Sequence, residues 1–367
     1  MSENTVCLTM IVKNESQIIK RCLEHARFCY DFISITDTGS TDNTKQIIED
    51  WAKANNVPCK VHYEPWKNFG YNRTFSYKKA KESFPQATFL LLLDADMCLV
   101  DKGFKKEQLN SADGYQVVQT EHSTTYRNLR LIRANLPWRS LGVTHEYTCV
   151  EHGESKIENF DTIFIDDRSD GGAKAFKLER DAAMLIKGLE EEKDNSRYMF
   201  YLANTFLSLN QILDAIYWYE KRIEDTKNTF EEERWYAMYK VGQCYELLND
   251  WPKCYYWYMK AINRRPHRLE PYLRMARIWI LNDKEVQYYN GCQLIKQGLA
   301  MARPEIDVLF VEDTVYDHEA WFLLSVGSYY VGKLHEGKAA SIRVLNSKAP
   351  PHIKALVQKQ LLEFYNV

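Results

Sequence analysis

The sequence predicts two domains of different class: an α/β domain on a mostly parallel sheet, then an all-helical repeat. Three observations carry this. Apolar, β-type runs alternate with helical patterns over residues 6–93 in the order β-α-β-α-β-α-β, which predicts a doubly wound parallel sheet. Acids end the second and fourth of these runs, where open α/β sheets bind their ligands. Small residues recur twelve apart through the second half, as in helical repeats whose paired helices approach closely.

The first strand is Val6-Cys7-Leu8-Thr9-Met10-Ile11-Val12. Lys13-Asn14-Glu15-Ser16 ends it and opens a helix over 17–26, with Ile18, Ile19, Cys22 and Leu23 at helical spacing. Residues 32–36 form the second strand, closed by Asp37-Thr38-Gly39-Ser40-Thr41-Asp42-Asn43-Thr44. Gly39 permits a tight turn, and Ser40, Thr41 or Asp42 can cap the next helix, 44–54. A third strand, 59–63, a helix, 72–82, and a fourth strand, 88–93, follow. The fourth is apolar from Phe89 to Leu93, as a strand buried on both faces must be, and runs into Asp94-Ala95-Asp96. On an extended chain these two carboxylates point the same way. Two such acids repel unless a cation or sugar hydroxyls compensate them, which suits a divalent metal carrying a diphosphate. Asp37 can accept hydrogen bonds from a base or ribose, or serve as a turn-forming, capping Asp.

Composition narrows the classes. The 367 residues suit two domains. Net charge is −2 and no basic block stands out, which argues against nucleic acid as a partner. No Gly-x-Gly-x-x-Gly follows the first strand and no phosphate-binding lysine loop occurs, which argues against a dinucleotide oxidoreductase or a P-loop enzyme. The nine cysteines are scattered without Cys-x-x-Cys spacing and read as buried thiols in a reducing compartment. With no stretch long enough to span a bilayer and no signal-peptide core, a cytoplasmic protein is expected.

Four motifs taken in order carry a resemblance: Val12-Lys13-Asn14-Glu15, then Asp37 to Thr44, then Asn68-Phe69-Gly70-Tyr71-Asn72-Arg73, then Leu93-Asp94-Ala95-Asp96. Over roughly the first 170 residues the chain resembles family 2 glycosyltransferases of GT-A fold. The resemblance implies a nucleotide-sugar donor, a divalent metal (Mn²⁺ or Mg²⁺) and inversion at the anomeric carbon. It implies that Asp37 meets the nucleobase, that Val12, Asn14 and Glu15 line that pocket, and that Arg73 reaches the base or diphosphate. Asp94 would face the ribose or metal beside Ala95, and Asp96 the metal. The chemistry suits these residue types. Glycosyl transfer passes through an oxocarbenium-like transition state, a metal can neutralise the leaving diphosphate, and a further carboxylate must take the acceptor proton.

Strands follow at 114–120, 126–133 and 162–165. Between them an aromatic-rich loop around Trp138 leads to His145 and Glu146. In the family the base is an acid downstream of the Asp-x-Asp, so Glu146 is the first choice; His145 is an extra metal ligand or orients the acceptor. Many family members place a metal-binding histidine near the Gly171-Gly172 loop, but this chain has no histidine between His152 and His267. Asp167 or Asp170 could replace it. The loop 166–174 could act as a lid over the diphosphate, as a domain linker, or as both.

The expected domains are 1–172, a connecting helix over 173–193, and a repeat over 194–367. In the repeat, Ala203 to Ala215, Gly242 to Cys254 and Gly327 to Ala339 are each twelve residues apart. Pro266 and Pro351 close units, and 271–302 reads as a less regular pair. This resembles tetratricopeptide (TPR) helical hairpins, with extended inter-helix loops. In Tyr255-Tyr256-Trp257-Tyr258, helical spacing sends about half of the rings to the core; Tyr219 and Tyr258 are expected there, while Trp218 and Trp257 stay open.

The expected function is metal-dependent transfer of a sugar, UDP-linked as first choice, to the hydroxyl of a glycan, a lipid-linked sugar or a protein. The repeats would bind a protein partner or form a homodimer. The rival reading is a TPR scaffold whose transferase-like domain has weak or no activity.

Overall fold

The computed structural model describes residues 4–121, 124–171, 177–227, 230–281, 287–307 and 309–365. It forms two compact units, divided between Glu191 and Glu192. Gly172, Ala173 and Lys174 of the expected lid lie outside the described residues. Among the described residues no helix is long and apolar enough to cross a membrane.

In the first unit the opening elements are β1 (Val6–Val12), α1 (Ile19–Ala26), β2 (Phe32–Asp37), α2 (Thr44–Ala54), β3 (Cys59–Tyr63), α3 (Phe69–Ser83) and β4 (Phe89–Leu92). Then come β5 (Met97–Asp101), β6 (Gly114–Glu121), β7 (Thr124–Arg133), a hairpin of β8 (Trp138–Leu141) and β9 (Tyr147–Val150), β10 (Ile157–Asp167) and α4 (Lys177–Glu191). One eight-stranded sheet has the order β3-β2-β1-β4-β7-β6-β10-β5. The β3-β2-β1-β4 half is parallel throughout, as the alternating pattern predicts. The other half is mixed: β7 runs antiparallel to β4 and β6, β10 parallel to β6, and β5 antiparallel to β10. The aromatic-rich stretch around Trp138, expected as a loop, is the β8/β9 hairpin.

Side-chain alternation explains why helices cover both faces. Val6, Leu8, Met10 and Val12 of β1 and Phe89, Leu91 and Leu93 at β4 join one core with Ile19 and Leu23 of α1 and Ile48 of α2. The alternate residues Cys7, Leu90 and Leu92 join a second core with Tyr77 and Ala80 of α3. Thr9, also facing α3, meets the Ser76 hydroxyl at 2.6 Å. The crossover therefore changes face after β3, and the sheet has its topological switch point between the ends of β1 and β4. In such folds the ligand crevice lies there.

The second unit is a helical repeat of four hairpins. They are α5 (Ser196–Ser208) with α6 (Ile212–Glu224), α7 (Glu231–Leu247) with α8 (Trp251–Arg264), α9 (Glu270–Leu281) with α10 (Tyr288–Leu299), and α11 (Ala320–Tyr330) with α12 (Leu334–Leu345). Helix α13 (Pro351–Phe364) follows. Three hairpins turn in the same way. Asn210, Asn249 and Gly332 take left-handed φ of 59°, 55° and 71°, and the residue after each donates its amide to a carbonyl five back, closing a Schellman turn. These three turns are thus short, and the extra length of their units over 34 residues lies in longer helices and in segments between hairpins. Small residues sit where helices touch: a Cβ on Gly242 would lie 2.5 Å from the Tyr258 ring. Tyr219, Tyr258 and Trp257 are buried, whereas Tyr256 stays 57% exposed.

Candidate active site

The loops after β1 and β2 are stitched together by the residues of the first two motifs. Asn14, at φ 57°, accepts the Thr41 amide on its side chain at 2.7 Å, and its own amide donates to Ser40 Oγ at 3.0 Å. The Glu15 amide donates to Thr44 Oγ1 at 2.8 Å. Asp37 is buried, and its Oδ1 accepts the amides of Gly39 and Ser40 at 2.8 and 2.7 Å. That is the turn-forming arrangement left open by the sequence. Asp42 accepts from the amide of Thr44 and, at 3.2 Å, from that of Ser16. Burial opposes its charge, but the hydrogen bonds from the side chains and amides of Thr44 and Ser16 together outweigh it and hold its pKa down to about 2.

The third motif places Arg73. Asn68 caps α3 by accepting the Tyr71 amide at 2.8 Å, the expected use of an N-cap Asn. Asn72 is fully buried; it accepts the Lys67 amide and donates to the Pro65 carbonyl, fixing the chain that enters the helix. Gly70 brings the helix against the β8/β9 turn: the Phe69 and Gly70 amides donate to the carbonyls of Val143 and Gly142 at 3.2 and 3.0 Å. A Cβ on Gly70 would lie 2.6 Å from the Gly142 oxygen. The turn carrying His145 and Glu146 is thereby docked one helical turn from Arg73.

Arg73 bridges two carboxylates, donating from Nε to Glu146 Oε1 at 2.6 Å and pairing through Nη2 with Asp94 Oδ1 at 2.8 Å. Arg130 of β7, a residue the sequence does not single out, lies 3.8 Å from Asp94 Oδ2 and donates to Gln119 Oε1 at 2.7 Å. Gln119 in turn donates to Asp167 Oδ2 at 2.8 Å. Burial disfavours charge on Asp94, but Arg73 and then Arg130 outweigh it and hold the carboxyl below its ordinary range. The signal for Arg130 was an arginine between Leu129 and Leu131 in a core strand, which demands a buried anion.

Asp94 and Asp96 do not lie on an extended chain as expected. The Met97 amide donates to the Asp94 carbonyl at 3.1 Å, so both stand on a tight turn between β4 and β5. Both line a cavity of about 660 Å³ at the switch point. Its walls include Val12, Lys13, Glu15, Trp66, Phe69, Arg73, Ala95, Gln119, Arg130, Asp167, Lys177 and Arg180. Asn14, Asp37, His145 and Glu146 are not among its lining residues, although Thr38 and Arg73, beside or bonded to them, are. A Cβ on Gly171 would come within 3.2 Å of Asp96 Oδ2 and 3.6 Å of Glu15 Oε1, so these carboxylates approach one space that a larger residue would fill.

Such a donor set fits a hard divalent ion that keeps substrate phosphate among its ligands, since one or two carboxylates suffice there. Among the described residues no cluster of three His, Cys, Asp or Glu side chains could hold an ion unaided. His145, at φ 49°, lies on the β8/β9 turn. Asp170 is engaged by both terminal nitrogens of Arg21, at 2.7 and 2.6 Å.

Comparison with known proteins bears on the same region. Residues 7–142 match the family model described as glycosyl transferase family 2, a span that holds every predicted donor residue. The chain is 25% identical over 260 residues to the SPbeta prophage-derived glycosyltransferase SunS of Bacillus subtilis (strain 168), covering 66% of this chain and 59% of that protein. It matches glycosyltransferase SunS of Bacillus phage SPbeta to the same extent. The chain thus spans about 59% of the length of these curated relatives. Among solved structures, PilF of Pseudomonas aeruginosa aligns at 12% identity and TM-score 0.39, over 50% of this chain and 77% of that one. MamA aligns at 12% identity and TM-score 0.37, over 50% and 93%. The family match and the order of elements agree: residues 7–142 are similar to glycosyl transferase family 2, and a run of helical hairpins follows.

Proposed function

We propose that this protein is a metal-dependent, inverting glycosyltransferase that moves a sugar from a nucleotide-sugar donor, UDP-linked as first choice, to an acceptor hydroxyl. The observation that carries this reading is the Asp94-to-Asp96 turn, set at the switch-point cavity among Lys13, Arg73, Arg130, Lys177 and Arg180. Cations on the wall attract a diphosphate. Asp96 and Glu15 are the residues that would hold the metal, whose chemistry is to neutralise charge on the departing diphosphate. Asp94, paired with Arg73, is better suited to orienting the donor than to binding the ion. Its pairing keeps Arg73 and Arg130 in place, so their field needs little reorganisation during transfer.

Glu146 is the proposed base. Its carboxylate is positioned by Arg73 and takes the acceptor proton as the sugar carbon is attacked, giving inversion by direct displacement. Asn14 and Asp37 act by shaping the nucleoside pocket through the stitched loops, and His145 by placing Glu146. The repeats would engage the acceptor or a second protein. Nine free cysteines are in keeping with a reducing compartment such as the cytoplasm.

The test is a panel of UDP-, GDP- and TDP-sugars assayed for donor hydrolysis with Mn²⁺, Mg²⁺ or chelator. Hydrolysis of one donor, lost on chelation, is expected. Metal-independent turnover removes the ion from the mechanism. Absence both of turnover and of UDP binding supports the scaffold instead.

A further inference from the structure

A row of polar side chains crosses the sheet along the order β4-β7-β6-β10-β5. It runs from Asp94, just after β4, through Arg130 on β7 and Gln119 on β6 to Asp167 on β10, whose register partner on β5 is Met97. The row begins where the Asp94-to-Asp96 turn leaves β4 and ends where that turn enters β5. Arg130 lies 3.8 Å from Asp94 Oδ2. Gln119 Oε1 accepts from Arg130 Nε and Nη2 at 3.2 and 2.7 Å. Gln119 Nε2 donates to Asp167 Oδ2 at 2.8 Å and to the Tyr126 hydroxyl at 3.0 Å. Asp167 Oδ1 accepts the Ser169 amide at 2.9 Å. Gln119 and Arg130 are buried, and Asp94, Arg130, Gln119 and Asp167 all line the switch-point cavity.

The partners leave the Gln119 amide one orientation. A guanidinium only donates and a carboxylate only accepts, so the amide oxygen faces Arg130 and the nitrogen faces Asp167. What the amide prevents matters as much as what it binds. Arg130 and Asp167 are opposite charges on the two strands that flank β6, and a direct pair between them would be a strong, bidentate one. Gln119 satisfies both with a neutral group and keeps them apart. Among the described residues Asp167 therefore makes no ion pair, and the one ion pair of Arg130 is the long one to Asp94.

We propose that Gln119 is a positioning residue of the donor site: it keeps Asp167 off Arg130, so that Arg130 meets the donor's diphosphate with its charge uncancelled. This rests on the nucleotide-sugar reading above. Position 119 has to accept and donate at once and carry no charge. An acid there would cancel Arg130, and an apolar residue would let Asp167 reach it.

The test exchanges the two groups, Gln119→Glu together with Asp167→Asn. Size, net charge and hydrogen bonds are kept. The new acid still accepts from Arg130, the new amide donates back to it and still accepts from Ser169, and the Tyr126 hydroxyl can turn to donate. Only the negative charge moves, onto Arg130. UDP and inorganic pyrophosphate are titrated calorimetrically against the full chain, with chelator present so that no ion bridges acid and phosphate. Affinity for both is expected to fall at least about tenfold, because a charge cancelled close to a phosphate in a partly buried site is worth that much. Unchanged affinity gives Gln119 a packing role only and overturns the proposal. A second series uses Gln119→Leu, expected to lose about as much, and the same variant with Asp167→Asn added, expected to recover most of the loss because the acid that captures Arg130 is gone. A loss that Asp167→Asn does not relieve likewise overturns the proposal. If the unaltered chain binds pyrophosphate but not UDP, the nucleotide-sugar reading falls and the pyrophosphate series decides the role of Gln119. If it binds both, and every variant does so equally, the role of Gln119 falls alone. If it binds neither, both fall.

Discussion

At the scale of single residues, Arg73 does the most. Its guanidinium bridges Asp94 and Glu146, so Arg73→Ala should leave Glu146 without its cation and Asp94 with Arg130 alone. The expected cost is about 3 kcal/mol, read from a denaturant titration, with loss of donor binding. Glu146→Gln keeps one acceptor oxygen for Arg73 but cannot take a proton; nucleotide should still bind while transfer falls about a thousandfold. If nucleotide binding falls with it, Glu146 acts through Arg73 and another acid is the base. Asp96→Asn should abolish metal-stimulated hydrolysis and leave the melting temperature unchanged. Asp42 supplies a pH test. Its folded pKa is depressed from 3.8 to about 2, so its contribution is present above pH 3.8 and disappears as pH falls toward 2. Discounted for its exposure, that is about 1 kcal/mol. In Asp42→Asn the difference in stability between pH 5 and pH 2 should shrink by that amount.

At the scale of elements, local signals were legible and distant ones were not. The bounds of β1, α2 and β3 follow from periodicity alone, although the N-cap of α2 is Asn43, without a side-chain cap bond, and not Ser40, Thr41 or Asp42. β5 did not, because the short run Met97–Asp101 shows no alternation that marks a strand; its strand character comes from pairing with residues 163–167, far along the chain. The Asp-x-Asp pair and Arg73 could be read as motif residues. That Arg73 would close on Glu146 could not, since this depends on Gly70 letting the helix approach the β8/β9 turn. Gly70→Ala should cost about 2 kcal/mol by overpacking and uncouple Glu146 from Arg73, visible as lost transfer out of proportion to the lost stability. In the repeat the twelve-residue spacing was legible, but the Asn210, Asn249 and Gly332 turns were the clearer marker of each unit.

At the scale of the whole molecule, each unit has apolar cores of its own among the described residues, over 6–165 in the first and over 200–365 in the second. A fragment ending at Glu191 should therefore fold and bind nucleotide while failing to use the acceptor. If it transfers normally, the repeats serve another purpose.

The sheet order has a consequence for how the site comes into being. The Asp94-to-Asp96 turn leaves β4 in mid-sheet and delivers the chain to β5 at the far edge, where Met97 is paired with Asp167. During synthesis, the β3-β2-β1-β4 half can close as soon as its own residues have left the ribosome. The turn cannot be pinned until residue 167 has followed. A nascent chain stalled near residue 150 would already be half built yet unable to hold a nucleotide, so donor binding reports that the domain has finished folding.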